Sequence, residues 1–354
     1  MKPNQNQFYK IVSKSEYSPV LTAQGADGYP ASPILSTLWY EWENQRFMFV
    51  PLNNNYYAIV DKIRGYVADP VKTDPGKWVM TSQWHGGDSQ QWSLHDLEVG
   101  YQKIKNKLTG LVIDTTFPTN PNVLMSQWHG GDSQQWLPEA VESFTLPSVP
   151  TYPVPAVPQY ENIHDILPEY TQKVTTHYTL APLIAVGDPH YGNNTSQQIK
   201  TNPYYLYVRK QYWKRVASHT LAPNETHKYL QTTGMTQEDQ NIVSTTVGHT
   251  IGADVGFQFG KEEKSHSSAS LSYQYTTQLA TQESHTTTQL TEKTAELQIV
   301  NTEPYMVAWT KYVLVSEYSV QRSDGTLVRE PWTVVDPNTT GSSFYPPKAK
   351  LLDN

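Results

Sequence analysis

Bulky and small polar residues alternate with a period of two over two neighbouring stretches of the chain. Across 243–259 the odd positions hold Val243, Thr245, Val247, His249, Ile251, Ala253, Val255, Phe257 and Phe259, with Ser, Thr, Gly, Asp and Gln between them. Across 267–279 the odd positions again carry the bulk, in Ala269, Leu271, Tyr273, Tyr275 and Leu279. This spacing predicts two strands, and the charged stretch GKEEKSH at 260–266 predicts the turn that joins them into an antiparallel hairpin. The same alternation suits a half-buried hairpin of a stable soluble sheet. It equally suits a membrane barrel, where each crossing takes about 9 to 11 residues and several chains together close the wall.

Shorter strand-like runs open at 8–12, 56–60 and 101–105. Another hairpin is predicted over 306–328, with Ser323, Asp324 and Gly325 as its turn, and the tail bearing Pro337, Pro346 and Pro347 reads as coil. Tyr204, Tyr205, Tyr207, Tyr212 and Trp213, interleaved with Arg209, Lys210, Lys214 and Arg215, predict a sheet with one packed face and one wet face. The fold class is all-β.

An 11-residue string, SQWHGGDSQQW, occupies Ser82 to Trp92 and recurs unchanged from Ser126 to Trp136, an offset of 44 residues. A fainter copy lies one period upstream, where Trp39, Gln45 and Phe47 align with Trp84, Gln90 and Trp92. Units this short cannot bury an apolar face alone, so three of them must share one core, and a closed threefold arrangement is expected. After Phe144, Pro147, Pro150, Pro153, Pro155 and Pro158 predict an extended connector and a domain boundary. The expected organisation is a first domain at 1–145, a linker at 146–159 and a second domain at 160–354.

Composition narrows the function. The chain of 354 residues has 24 Tyr, 10 Trp and 25 Pro but only 17% charged residues, which favours strands and turns over long helices. Its net charge of −7 argues against nucleic acid as a partner. Without Cys there is neither a disulfide framework nor a thiolate metal site. The polar start, from Met1 to Ser15, lacks the apolar stretch of a secretory signal, and runs such as 306–309 and 312–315 fall far short of the ~20 residues of a spanning helix. No catalytic constellation stands out. His177 and His190 lack zinc-ligand spacing, Glu262 and Glu263 sit in the predicted charged turn, and Gly252, Gly256, Gly260 and Lys261 are not spaced as a phosphate loop. The expectation is a non-enzyme with no cofactor and no metal.

The Gln-x-Trp endings with their Gly-Gly-Asp turn resemble the ricin-B-type β-trefoil lectins over about residues 6–145. In that family, sugar is held by an early Asp, an aromatic platform and a polar pair before the final Trp. The resemblance implies Asp69 with Ser89 and Gln90 as one carbohydrate-binding set and Asp114 with Ser133 and Gln134 as another, while the family's platform position falls on Ser82 and Ser126. Two residues later, Trp84 beside His85 and Asp88, and Trp128 beside His129 and Asp132, are candidates to stack on a sugar face and take its hydroxyls. Ser89 and Ser133 stand where the family usually has Asn. Trp92 and Trp136 are expected in the core, whereas Trp84 and Trp128 suit either packing or an exposed platform. The first repeat lacks the Gly-Gly turn, and its site is expected to be lost.

Residues 198–215, QIKTNPYYLYVRKQYWKR, with the preceding LAPLIAVGDP and the later Gly- and Thr-rich strand, resemble the Bin-type (binary mosquitocidal) insecticidal crystal toxins of Bacillus over about residues 160–350. That resemblance implies an elongated aerolysin-like β-sheet domain behind the trefoil. It also implies an insect gut membrane receptor or glycan as first partner, a homo-oligomer in the pore, the lipid bilayer as final target, and a possible second toxin component. Storage as a parasporal crystal inclusion and extracellular action on gut cells are implied as well. The membrane-inserting hairpin would be 243–279, with Val243, Val247, Ile251, Val255, Phe257, Phe259, Leu271, Tyr273, Tyr275 and Leu279 on its apolar face. The alternatives are a carbohydrate-binding or haemagglutinating protein without pore formation, and, lacking a carboxylate pair, an accessory module of a sugar hydrolase.

Overall fold

The computed structural model describes residues 2–25, 31–52, 55–70, 75–247, 292–347, 349 and 351–353. Within them the chain forms two compact units. One comprises Met1–Pro147 with Ala181–Tyr205, and the other comprises Ser148–Leu180 with the described residues from Leu206 onward.

Twelve strands build the first unit in three fours: β1 (Gln7–Ser13), β2 (Val20–Ala23), β3 (Ala31–Thr37) and β4 (Phe47–Pro51); β5 (Tyr56–Asp61), β6 (Val67–Pro70), β7 (Val79–Ser82) and β8 (Trp92–Asp96); β9 (Gln102–Asn106), β10 (Val112–Thr116), β11 (Asn120–Ser126) and β12 (Trp136–Ser143). The outer strands of each four close a ring, β1-β4-β5-β8-β9-β12 and back to β1. The inner pairs β2–β3, β6–β7 and β10–β11 form three hairpins, joined to one another through β3. This is a β-trefoil, and closure removes the sheet edges that short strands would otherwise expose. Phe47, Trp92 and Trp136 are fully buried at equivalent positions in the shared core. The two indoles place their N–H groups on the carbonyls of Ala68 at 2.9 Å and Ile113 at 3.1 Å, so neither ring buries an unpaired donor.

In the second unit, β14 (Tyr204–Leu221), β17 (Val307–Gln321) and β18 (Trp332–Tyr345) form a sheet in that order, with β13 (Val174–Pro182) on the outer side of β14. A smaller sheet runs β15 (Thr226–Thr233), β16 (Lys293–Asn301) and β19 (Leu351–Asp353) in the order β15-β16-β19. Leu221, Tyr229, Ile299 and Trp309 share a core that includes both sheets. The proline-rich stretch lies on this unit, where the Trp213 indole donates to the Pro155 carbonyl at 2.7 Å and Val154 and Val157 pack into a core cluster.

Three expectations change here. The aromatic run from Tyr204 is buried on both faces through Val208, and alternation between faces begins only past Trp213. The tail is largely strand: β18 pairs with β17 over most of its length, and Pro337 falls where the register jumps from Val313↔Thr340 to Val315↔Val335, a break in which a missing N–H costs no ladder bond. The turn at 323–325 is present, with Gly325 at φ 84°, but the regular ladder back to β17 starts at Trp332. Third, Val243 and Val247 belong to a helix, α1 (Gln237–Val247), and not to a strand. Thr236 caps it by accepting from the Asp239 N–H at 3.1 Å and donating to the Asp239 carboxylate at 2.8 Å, a local signal that outweighs the alternation. No described helix is long and apolar enough to cross a membrane.

The threefold repeat exposes one mismatched residue. Backbone N–H groups of Ser13, Asp61 and Asn106 each donate across their turn at 2.8 Å, and those of Lys14, Lys62 and Lys107 each donate to the neighbouring repeat at 2.9 Å. Asn106 accepts from Thr109 N–H through Oδ1 and donates from Nδ2 to the Ser89 carbonyl at 2.7 Å. Asp61 accepts from Arg64 N–H at 2.6 Å, yet its buried Oδ2 has no partner where Asn106 has a donor. Burial pushes the Asp61 carboxyl up to about 6, against the pull of the Arg64 N–H and guanidinium. The folded state therefore holds a proton that the unfolded chain releases near its ordinary value of 3.8, and stability falls as pH rises from 4 through 6 by about 3 kcal/mol. Asp61→Asn is expected to abolish that slope and to raise stability at pH 7.5, because its amide reaches toward the Asn44 carbonyl as Asn106 does toward Ser89. Urea unfolding at pH 4.5 and pH 7.5 measures both effects, and equal slopes in the two proteins would refute the assignment.

Candidate functional site

The repeated SQWHGGDSQQW strings fold into two matching cups at the ends of β7 and β11. In the first, Asp69 Oδ2 accepts from Ser82 Oγ at 2.9 Å and faces His85 Nε2 at 3.1 Å, while Gln90 Nε2 donates to Ser82 Oγ at 2.9 Å. In the second, Asp114 Oδ2 accepts directly from Gln134 Nε2 at 3.1 Å and faces His129 Nε2 at 3.3 Å. The imidazole Nδ1 atoms accept from the Gly87 and Gly131 N–H groups at 3.2 and 3.1 Å, which leaves the proton of a neutral ring on Nε2, pointing at the carboxylate. Each cup thus joins a largely buried carboxylate, 14% and 10% exposed, to a half-exposed imidazole, 55% and 56% exposed. The inner oxygen Asp114 Oδ1 is buried without a protein donor. A carboxylate acceptor beside an imidazole N–H donor is suited to a hydroxyl-rich ligand.

Glycine at the second Gly of each string has a steric cause. A Cβ on Gly87 or Gly131 would lie 2.7 Å from Cε1 of His85 or His129, so a side chain there would drive the ring from the cup.

The other expected site residues make the following contacts. Gln90 and Gln134 are fully buried, and their amides hold the turn: Oε1 accepts from the N–H of His85 or His129 at 2.8 Å, and Nε2 donates to the carbonyl of Gln83 or Gln127 at 2.8 Å. Asp88 and Asp132 pair with lysines of the next repeat around the ring, Lys107 at 2.8 Å and Lys14 at 3.0 Å, and Glu43 takes Lys62 in the same way at 3.5 Å. These three lysines escaped sequence reasoning because an insertion in the first repeat shifts Lys14 out of the 44–45-residue period. Ser89 offers its carbonyl to Asn106, and Ser133 holds the matching place in the third string. Trp128 is 38% exposed with Lys103 Nζ 4.9 Å from its ring centroid, whereas Trp84 is half-buried with its indole nitrogen enclosed. In the first repeat Thr22 replaces the aspartate and Tyr40 the histidine, so the polar cup is gone.

A family model described as insecticidal crystal toxin, P42, matches residues 174–346, and one described as ricin-type beta-trefoil lectin domain-like matches residues 43–128. The binary larvicide subunit BinA of Lysinibacillus sphaericus is 27% identical over 355 residues, covering 97% of this chain and 92% of BinA. The chain is similar to the Bin and Cry35 insecticidal crystal toxins along nearly its whole length. The BinB subunit of the same organism is 30% identical over 210 residues, 58% of this chain and 45% of BinB. The crystal structure of Cry35Ab1, an insecticidal crystal protein of Bacillus thuringiensis, superposes with a TM-score of 0.77 at 20% identity over 97% of this chain and 91% of that one, so the family fold of a trefoil followed by a sheet-rich unit is shared. Of the expected inserting hairpin, Val243 and Val247 lie in α1, and Ile251, Val255, Phe257, Phe259, Leu271, Tyr273, Tyr275 and Leu279 lie outside the described residues.

Gly131→Ala tests the cup geometry. Because the ring is the far end of a flexible side chain, it swings away at little cost to the fold, with stability changing by about 1 kcal/mol or less. The His129 imidazole resonances should then shift toward solvent-exposed values while those of His85 stay in place. Unchanged His129 resonances would mean that the glycine contact does not set the ring.

Proposed function

We propose that this protein is an insecticidal pore-forming toxin. Its trefoil docks on a gut-cell receptor or glycan through the cups at Asp69 with His85 and Asp114 with His129. Its sheet-rich unit is then aerolysin-like in action: it oligomerises and inserts the hairpin at 243–279, whose alternation would give a barrel wall with one lipid face and one water face. The observation that carries this reading is the relationship to a binary larvicide subunit across 97% of the chain, trefoil and second unit together. The names of the relatives, subunits of a binary larvicide, support a second toxin component as partner. Deposition as a parasporal crystal and release in the gut complete the proposal. The two cups favour a second reading, a carbohydrate-binding or haemagglutinating protein that never makes a pore.

The chain has no cysteine, so a crosslink can be placed cleanly. In Val255→Cys with Tyr273→Cys, the oxidised protein, with its bridge confirmed by mass, is expected to bind gut membrane vesicles as before and to release no dye, and reduction should restore release. Dye release that is equal in both states would rule out hairpin insertion. Vesicle binding without release in every state, with or without a partner subunit, would favour the second reading.

A further inference from the structure

The lost cup of the first repeat has been rebuilt as something else. Its loop keeps the backbone of the other two: Tyr40 N–H donates to Gln45 Oε1 at 2.8 Å as His85 does to Gln90, and Trp42, Gly87 and Gly131 share φ near −70° ahead of the same 3-10 turn. At the position of Gly86 (φ 75°) and Gly130 (φ 78°) stands Glu41, at φ 63°. A residue with a side chain is strained in that region. The side chains differ throughout. Leu38, Tyr40 and Trp42 replace Gln83, His85 and Gly87, and they are 42%, 51% and 56% exposed, with the two rings stacked at 4.7 Å.

The loop therefore retains a strained backbone while presenting an apolar ledge to water. Three side chains are far too few for a stable protein interface, which needs roughly 800 Å² from each partner. A sugar would find no cup, because Thr22 stands in place of the aspartate and its hydroxyl is engaged by Thr37 and Gln45. The charges nearby are also selective. Arg46 and Lys62 are paired with Glu142, Lys10 with Glu139 and Lys200 with Glu43, whereas Glu41 makes no ion pair among the described residues. The ledge thus offers a cation two things, a carboxylate without an ion pair among the described residues and the outer faces of the stacked Tyr40 and Trp42 rings. Trp, Tyr and Leu side chains are also those that settle at a membrane–water interface.

We propose that the ledge of Leu38, Tyr40 and Trp42, with Glu41, docks the trefoil on a lipid surface bearing choline headgroups, the trimethylammonium lying against the rings and the carboxylate. This contact is weak and reversible, and it precedes any insertion. Flotation reads it separately from leakage, so its failure and the failure of pore formation are distinguishable.

The test is co-flotation of the full chain, without protease treatment, with vesicles of phosphatidylcholine or of phosphatidylglycerol. The parent is expected to float with phosphatidylcholine only. The variant carrying the repeat-two residues, Leu38→Gln, Tyr40→His and Trp42→Gly, is expected to bind about tenfold less with unchanged thermal unfolding. Glu41→Lys, which leaves the ledge intact, is expected to shift preference toward phosphatidylglycerol. Free phosphocholine at high concentration should compete only partially, since it lacks the interface that holds Leu38. Parent and triple variant floating equally, no flotation of the parent, or Trp42-dependent capture of a glycan or of a protein instead of vesicles would each overturn the proposal.

Discussion

One hydrogen-bonded clamp, made three times, underlies the rim loops of the trefoil. Gln45, Gln90 and Gln134 are wholly buried, and each spans its loop with Oε1 on the N–H five residues back and Nε2 on the carbonyl seven residues back. A buried amide must satisfy both ends, and here satisfying them fixes the loop path independently of what the loop presents. The clamp lets the side chains at the rim diverge while the backbone stays the same. Where Gly follows the histidine, the ring folds back onto a carboxylate. Where Glu41 and Trp42 stand instead, the rings turn outward and stack.

Divergence among the repeats has energetic consequences that are visible residue by residue. Glu41 carries left-handed strain of about 1 kcal/mol, which the clamp sustains. Asp61 loses the donor that Asn106 keeps, and its buried carboxyl is driven toward the neutral form. Between the repeats, Lys14, Lys62 and Lys107 each reach the acid at the head of a neighbouring 3-10 turn. The two exposed pairs, Lys14 with Asp132 and Lys107 with Asp88, are worth less than about 1 kcal/mol each. Their repetition around the ring still registers one repeat against the next, which a core of nearly identical units specifies poorly.

Much of this was legible in the sequence where periodicity spoke. The 44-residue offset gave the trefoil, the runs at 8–12, 56–60 and 101–105 became β1, β5 and β9, and Trp92 and Trp136 are core. The period could not reveal that Thr22 corresponds to Asp69, because extra residues in the first repeat displace it, nor that Ser82 joins Gln90 to Asp69 through a pairing across β6 and β7. The even spacing of Val243, Thr245 and Val247 misled for a different reason. Small polar residues fit a helix or a strand, and what decides is an end signal, Thr236 with Asp239, lying outside the alternating window. Pro337 misled likewise, since a proline inside a strand is tolerated only at a break that tertiary pairing creates.

That helix also bears on how the second unit would change shape under the proposed mechanism. The β15–β16 ladder ends at Thr233↔Lys293, Glu292 N–H donates to the Met235 carbonyl at 3.0 Å, and Gly234 bonds Val335 in both directions. The described chain on either side of 236–291 is therefore joined at a closed base of the smaller sheet. The first contacts to break are those of the helix cap: Thr236 to Asp239, and Asp239 to the N–H and hydroxyl of Thr333 on β18. A cap of this kind is worth about 1 kcal/mol, small beside what a closed barrel gains by pairing every backbone group. The base is thus held by a continuous ladder and the start of the helix by its cap, so release under the proposed mechanism would begin at the cap while the ladder stays closed.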